Sequence, residues 1–189
     1  MIKIQTDDLL LRSILRDDAE RFFVLCNDEQ IARNTARIPS PYTMEQARKF
    51  ATNASVRSID SEYVFAICRN GEIVGCVAVT PDDNPKNKSS WEIGYWVGAA
   101  YRRTGVATRA VCAISTFAFE QLGAETVTAG FFVDNPASGR VLKRCGFVPT
   151  GECRSLYSVG RGEEVATIRM VLSKADSSVI DAVKIVGDQ

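Results

Sequence analysis

The sequence predicts an α+β fold, a mixed and mostly antiparallel sheet of about seven strands flanked by about four helices. Three observations carry that expectation. Two β-rich runs, residues 63–68 and 73–80, are joined across Asn70-Gly71, a dipeptide that favours a tight hairpin turn. A strand-like run at 91–97 passes through a glycine-containing turn into a long apolar-periodic helix and then a further strand at 126–133, the pattern of a parallel crossover. The order of elements, β-α-α-β-β-β-α-β-α-β-β, sets antiparallel strands first and that crossover after them.

Residues 9–15 (LLLRSIL) read as the first strand. Asp17 or Asp18 offers an acceptor to the free amides of a helix start, and Ala19, Phe22, Phe23, Leu25 and Cys26 follow at helical spacing. After Pro39 and Pro41, Thr43 caps a second helix through Met44, Ala47, Phe50 and Ala51. Residues 81–90 form a polar connection, and with the two early helices they make a natural substrate rim. The helix that follows the 91–97 strand runs from about Thr104 to Gln121, ended by Gly123. Asn135 followed by Pro136 is a cap plus a first helical residue whose missing N–H would be unpaired anyway, so a helix runs to Arg144 and Gly146 ends it. Two last strands, about 147–158 and 164–172, flank Gly160-Arg161-Gly162. Residues 1–173 make one domain. Residues 174–189 are a tail whose apolar Val179, Ile180, Val183, Ile185 and Val186 suit either a helix docked on a partner protomer or a frayed end.

At 189 residues with 46% hydrophobic side chains, the chain can bury one sizeable core and is short for two. Its 23 basic and 23 acidic residues cancel, so the overall field gives no reason to expect nucleic acid or an anionic membrane as partner. No secretory leader pattern opens the chain and no apolar run reaches membrane-spanning length, which leads to the expectation of a soluble, cytoplasmic protein. Six scattered cysteines without a C-x-x-C pair, and no histidine, argue against a zinc site and suit reduced, mostly buried thiols. The absent histidine also excludes Ser-His-Asp and Cys-His nucleophilic schemes. Proton transfer then falls to carboxylates, Tyr, Ser, Cys or water.

The junction at 91–109 (WEIGYWVGAAYRRTGVATR) is built to hold phosphate. A helix's first turn leaves N–H groups unpaired and carries partial positive charge, so a polyanion at 102–108 satisfies both. Gly105 lets the backbone approach closely. Neither the nucleotide-triphosphate spacing G-x-x-x-x-G-K-[ST] nor the dinucleotide G-x-G-x-x-G is present. The run that is present, Arg102-Arg103-Thr104-Gly105-Val106-Ala107, resembles the R/Q-x-x-G-x-G/A pyrophosphate loop of the Gcn5-related N-acetyltransferases. Downstream, Asp134-Asn135-Pro136-Ala137-Ser138 and a short helix closing at Cys145-Gly146-Phe147 resemble the N-x-x-S-x-x-V-L-x-x-x-G-F element of the same superfamily. The front half, with Thr6-Asp7-Asp8-Leu9-Leu10-Leu11-Arg12, the Asp18 region, the 38–43 run IPSPYT and Glu92-Ile93-Gly94-Tyr95-Trp96, is similar to the RimJ/RimL branch. Asp8 departs from that branch's T-x-R-L-x-L-R opening, where arginine is common.

The resemblance covers roughly residues 4–172 and implies the acyl-CoA N-acyltransferase fold, acetyl-CoA as donor and direct attack by an amine through a tetrahedral intermediate. It implies that the 91–97 strand splays from the next parallel strand and that pantetheine pairs with backbone near Trp96, Val97 and Gly98, with the Val97 N–H polarising the thioester carbonyl. Arg102, Arg103 and the amides of Thr104, Gly105, Val106, Ala107 and Thr108 would take the pyrophosphate, one arginine reaching it and the other remaining solvated. Asn135 would cap its helix and offer its other polar atom to the cofactor, and Arg144 would meet an adenosine phosphate or stand as surface charge. Glu92, sharing a strand face with Trp96, is the candidate base acting through water. Ser138 is the candidate proton donor to the leaving thiolate, with Tyr157 as fallback. The branch implies a protein N-terminal α-amine, notably on ribosomal proteins, as acceptor. The carboxylates Asp28, Glu29, Asp82 and Asp83 keep open a small amine such as a polyamine, amino acid or aminoglycoside, and a non-catalytic acyl-CoA-binding module is the rival from another class. The chain acts as a monomer or a homodimer.

Overall fold

A computed structural model describes residues 2–56, 62–82, 89–179 and 184–186. Strands β1 (Lys3–Gln5) and β2 (Leu10–Ser13) form a short hairpin, followed by helices α1 (Ala19–Cys26), α2 (Glu29–Asn34) and α3 (Met44–Val56). Then come β3 (Tyr63–Arg69), β4 (Glu72–Pro81), β5 (Ser90–Val97), α4 (Val106–Gln121), β6 (Thr126–Phe132), α5 (Pro136–Arg144), β7 (Val148–Ser158), β8 (Glu163–Ser173) and β9 (Lys184–Val186). All nine strands described share one sheet, in the order β7-β8-β6-β5-β4-β3-β2-β1-β9. Every pairing is antiparallel except β5 with β6, which the crossover through α4 makes parallel. The hairpin at Asn70-Gly71 has both residues at positive φ, 52° and 82°, the type I′ geometry that matches strand twist.

The sheet separates two apolar layers. On one face α4 lays Val106, Ala110, Val111, Ile114 and Phe117 against Phe65, Val77, Ile93 and Val127. On the other, α1 and α3 place Phe22, Leu25, Ala47 and Ala51 over Ala66, Cys68, Cys76 and the Trp96 ring. Phe22 sits at the centre of this second layer, edge-on to Phe50 and Trp96 with centroids 5.1 and 5.9 Å away. Thr43 and Gln46 form a reciprocal capping box at the start of α3, with bonds of 2.8 and 3.2 Å.

The architecture departs from the sequence reading at three places. The expected first strand at 9–15 is a hairpin, because residues 3–5 pair with 10–12. A fifth α-helix, α2, stands in the stretch read as a loop, capped by the Asp28 carboxylate, which accepts from Gln30 N–H at 2.8 Å. The tail forms a 3-10 turn, Lys174–Val179, and then β9, whose Lys184, Ile185 and Val186 pair with Gln5, Ile4 and Lys3 of its own chain. Ile180 and Val183 of that tail lie outside the described residues, as does Asp83 of the polar connection.

Candidate active site

Strand β5 pairs with β4 from Trp91↔Pro81 to Val97↔Gly75, but with β6 only from Ser90↔Thr126 to Ile93↔Ala129. Beyond that point residues 94–97 and 130–132 have no partner across the interface among the described residues, and the strands part to leave a slot. Gly75 is needed to keep β4 close at the same level, since a Cβ there would lie 2.4 Å from the Trp96 carbonyl oxygen. The slot is flanked on one face by the first turns of α4 and α5.

The loop into α4 runs through a 3-10 turn, Ala99–Tyr101, then Arg103 at φ 63° and Gly105 at φ 80°. The first backbone bond into the helix is Arg109 N–H to the Gly105 carbonyl, 3.1 Å. The amides of 104–108 therefore precede the ladder and face outward as donors, in the pattern that holds anions. Gly105 is favoured by its left-handed φ, and a Cβ there would lie 2.6 Å from the Arg109 guanidinium, which would have to shift. Thr104 Oγ1 donates to the Tyr101 carbonyl at 2.7 Å, so its hydroxyl braces the loop. Val106 is buried in the core, whereas Ala107 and Thr108 are partly exposed.

The two arginines of the motif are placed differently. Arg102 turns toward α2, donating to Gln30 Oε1 at 2.6 Å, to the Val97 carbonyl at 3.3 Å and to the Asp28 carboxylate, with which it forms an ion pair. Arg103 is exposed. A third arginine, Arg109, to which the sequence reading gave no role, lies against the loop, with one guanidinium nitrogen donating to the Thr104 carbonyl at 3.1 Å. Arg144 is exposed in the last turn of α5, where a cation complements the helix dipole.

At the start of α5, Asn135 Oδ1 accepts from Ser138 N–H at 3.3 Å and Pro136 occupies the first turn, as the cap reading requires. The Ser138 hydroxyl lies 2.7 Å from the Tyr95 hydroxyl, and the Tyr95 O–H also lies 3.2 Å from the Ser138 carbonyl. Tyr95 projects from β5 into the slot's α4–α5 side, where burial pushes its phenol well above the ordinary value and outweighs the Ser138 hydrogen bond. Tyr157 stands half-exposed on edge strand β7, with β8 between it and β6, about 10 Å away along the hydrogen-bonding direction. The phenol touching Ser138 is therefore that of Tyr95. Strand alternation offered the signal, because Tyr95 shares a face with Val97 and Ile93. Beneath this site the Cys112 and Cys145 sulfurs are 2.8 Å apart; pairing with Cys112 and burial push the Cys145 thiol up, and that thiol lies 3.3 Å from the Thr108 carbonyl as a donor. Burial likewise pushes Cys26 up to about 12.

The opposite face of the slot is polar. Glu92 sits between Thr80 and Thr128 in the sheet, on the same face as Trp96 and two residues before the open edge. Its carboxylate is 3.5 Å from Arg169 on β8, and Arg169 reaches back to Asp82 and Thr128. Asp82 also accepts from Thr128 Oγ1 at 2.8 Å and Ser90 Oγ at 3.0 Å. Burial alone would raise its carboxyl, but those bonds and Arg169 hold it below the usual range. At the rim, Asp134 receives Arg161 at 2.8 and 2.9 Å and Arg33 at 3.1 Å, which ties the β7–β8 turn to α2. Of the four rim carboxylates proposed from sequence, Asp28 and Asp82 are thus neutralised by internal partners, and Glu29 is exposed.

A parallel pair that splays beside two helix starts, with outward amides on one side and a carboxylate on the other, defines an acyltransferase of the coenzyme A type. Comparison with known proteins agrees. An acetyltransferase (GNAT) domain family model matches residues 8–148, and the chain belongs to that family. It is 27% identical over 161 residues to "Uncharacterized N-acetyltransferase YoaA" of Bacillus subtilis, covering 83% of this chain and 89% of the relative. Among solved structures, the ribosomal L7/L12 α-N-protein acetyltransferase RimL in complex with coenzyme A superposes with a TM-score of 0.77 at 18% identity, covering 89% of this chain and 95% of RimL. The microcin C7 self-immunity acetyltransferase MccE, with acetyl-CoA and AMP, gives 0.76 at 20% identity, covering 89% and 93%. Both likenesses are of fold. The chain is an acetyltransferase enzyme of this family. Among the described residues no helix is long and apolar enough to cross a membrane.

Proposed function

We propose that the chain transfers the acetyl group of acetyl-CoA to a primary amine, with a protein N-terminal α-amine as acceptor, by direct attack in a ternary complex. The end of the parallel ladder at Ile93↔Ala129 carries the reading, because it opens the backbone of 94–97 to pantetheine amides at the place where both helix starts converge. Diphosphate would rest on the amides of 104–108 with the exposed Arg103 beside it, and the acyl carbonyl would meet the Val97 N–H. Asn135 and Arg144 flank the coenzyme's route past α5.

Glu92 takes the amine's proton through water from the opposite face, and Arg169 fixes the carboxylate's orientation there. Ser138, hydrogen-bonded to Tyr95, protonates the departing thiolate. The demand on the base fits an α-amine. With a pKa of about 8, roughly a tenth of it is already neutral at pH 7, against about 0.04% of a lysine amine of pKa about 10.4. Internal pairing of Asp28 and Asp82 supports the same choice, since a polyamine or aminoglycoside needs carboxylates free to receive several cations.

A thiol-release assay over N-terminal peptides, polyamines, amino acids and aminoglycosides, with mass spectrometry to locate the acetyl group, tests the proposal. Turnover of peptides with modification at the α-amine is expected. Preference for a free small amine overturns the acceptor, and coenzyme binding without release on any amine overturns catalysis.

A further inference from the structure

The place where this chain departs from the opening of its branch sits directly behind the phosphate loop. Asp8, in the β1–β2 turn, forms an ion pair with Arg109 of α4: a terminal guanidinium nitrogen donates to Oδ2 at 3.0 Å, and Nε lies 2.8 Å from Oδ1 without the alignment of a hydrogen bond. It also receives Arg69 from the end of β3 at 3.1 Å. The guanidinium so held donates to the Thr104 carbonyl at 3.1 Å and lies across Gly105, 2.6 Å from where a Cβ would stand. Thr104 is in turn fastened to Tyr101. The loop's outward amides are thus backed by a flat cation whose position is set by one carboxylate 101 residues away in sequence.

We infer that Asp8 is a positioning residue for coenzyme A binding, acting through Arg109; this rests on the reading that the loop holds the coenzyme's phosphates. Without Asp8, Arg69 and Arg109 face one another beside a helix start, where the peptide dipoles already place positive charge. Repulsion then drives the Arg109 guanidinium off Gly105, and the support behind the amides of 104–108 is lost. With Asp8 in place, two cations and one anion leave a single positive charge at the loop, suited to a phosphate.

Simple charge counting predicts the opposite sign. Removing a carboxylate near an anion site strengthens the attraction for phosphate, whereas removing a positioning carboxylate weakens binding. Calorimetry with coenzyme A and steady-state kinetics on wild type, Asp8→Asn, Asp8→Glu and Arg109→Met decide between them. Asp8→Asn is expected to raise Kd for coenzyme A and KM for acetyl-CoA about tenfold, as losing a charged hydrogen-bond partner commonly does. The kcat and the amine KM should stay within about twofold, and Asp8→Glu should restore wild-type affinity. Arg109→Met should weaken binding to a similar degree, and the double variant should be no worse than either single one, since both act through one contact. If Asp8→Asn does not fold, Arg109→Lys carries the comparison, because it keeps the charge and loses the flat guanidinium: charge counting expects unchanged coenzyme binding and positioning expects weaker binding. Unchanged or tighter coenzyme binding in Asp8→Asn or Arg109→Met overturns the inference, as does a fall in kcat that tracks lost stability with both KM values unchanged. A folded wild-type chain that takes up no coenzyme A brings down the cofactor reading first, and this inference with it.

Discussion

The two faces of the slot are built by different means. On the α4–α5 side the donors are backbone amides, placed by one left-handed glycine and a helix start, and most side chains nearby serve to brace them. On the other side the proposed chemistry would rest on side chains: Glu92 from β5, Arg169 from β8, Asp82 beyond the end of β4 and Thr128 from β6. A backbone cradle tolerates exchange of the surrounding side chains but not displacement of the chain. A side-chain constellation behaves the other way. Coenzyme binding and acceptor chemistry should therefore respond to different substitutions.

The largest effect should come from displacing the backbone cradle. Gly105→Val puts a branched side chain at φ 80° and into the Arg109 guanidinium, and kcat/KM for acetyl-CoA should fall about 100-fold, with coenzyme affinity lost by calorimetry. A variant that still binds coenzyme normally would remove the cradle from the comparison. On the opposite face, Glu92→Gln should lower kcat by tens of fold while leaving coenzyme Kd unchanged; an equal loss of coenzyme affinity would show the two faces are not separable.

Ser138→Ala and Tyr95→Phe should each reduce kcat about tenfold, and the pair together no more than either alone, because they form one hydrogen-bonded unit. Additive losses would separate them. A thiol of pKa about 8.5 is an undemanding leaving group, so abolition of activity is not expected. Chemistry aside, the α2 clamp should respond to acid. The bidentate bond to Arg161 draws the Asp134 carboxyl down to about 2 from its ordinary 3.8. Its stabilisation is then present in full above pH about 4 and lost as pH falls toward about 2. Urea midpoints of wild type and Asp134→Asn should differ above that window and converge below it, by a modest amount given the exposure of the pair. The smallest effect falls on the fold alone: Thr43→Ala, which removes half of the α3 capping box, should cost about 1 kcal/mol with kinetics unchanged.

The same contrast explains what could be read in the sequence. The Gly105 turn into α4, the Asn135-Pro136 start of α5 and the Asn70-Gly71 hairpin are local, each set by two or three neighbouring residues with restricted backbone choices. Their geometry was legible, together with the parallel crossover. Helix α2 was missed because six residues show too little periodicity, although Asp28 was a usable cap signal. The tail was misjudged because a three-residue edge strand has no signature of its own; only its partner β1 makes it one. Side-chain roles across long separations were the hardest. Nothing in the run Arg102-Arg103 says that Arg102 turns to Asp28, or that Asp8 and Arg109 meet, since those contacts come from the start of α2 meeting the loop before α4 and from the β1–β2 turn meeting α4 itself. Arg12 and Asp18, which mark the branch in sequence, prove to be a two-point ion pair at 2.7 and 2.8 Å that also caps Leu15 N–H, and so belong to the scaffold.

The short contact between β5 and β6 also makes the sheet two plates joined along a seam. Six of the described strands lie on one side and three on the other; strand pairing joins them from Ser90↔Thr126 to Ile93↔Ala129, with Glu125 N–H donating to the Ser89 carbonyl at 2.9 Å just before it. A long thin molecule threaded along the unsewn part adds stitches where the protein has none. Amide exchange at 94–97 should consequently slow far more on ligand uptake than exchange within either plate, giving a direct reading of how tightly the halves are drawn together.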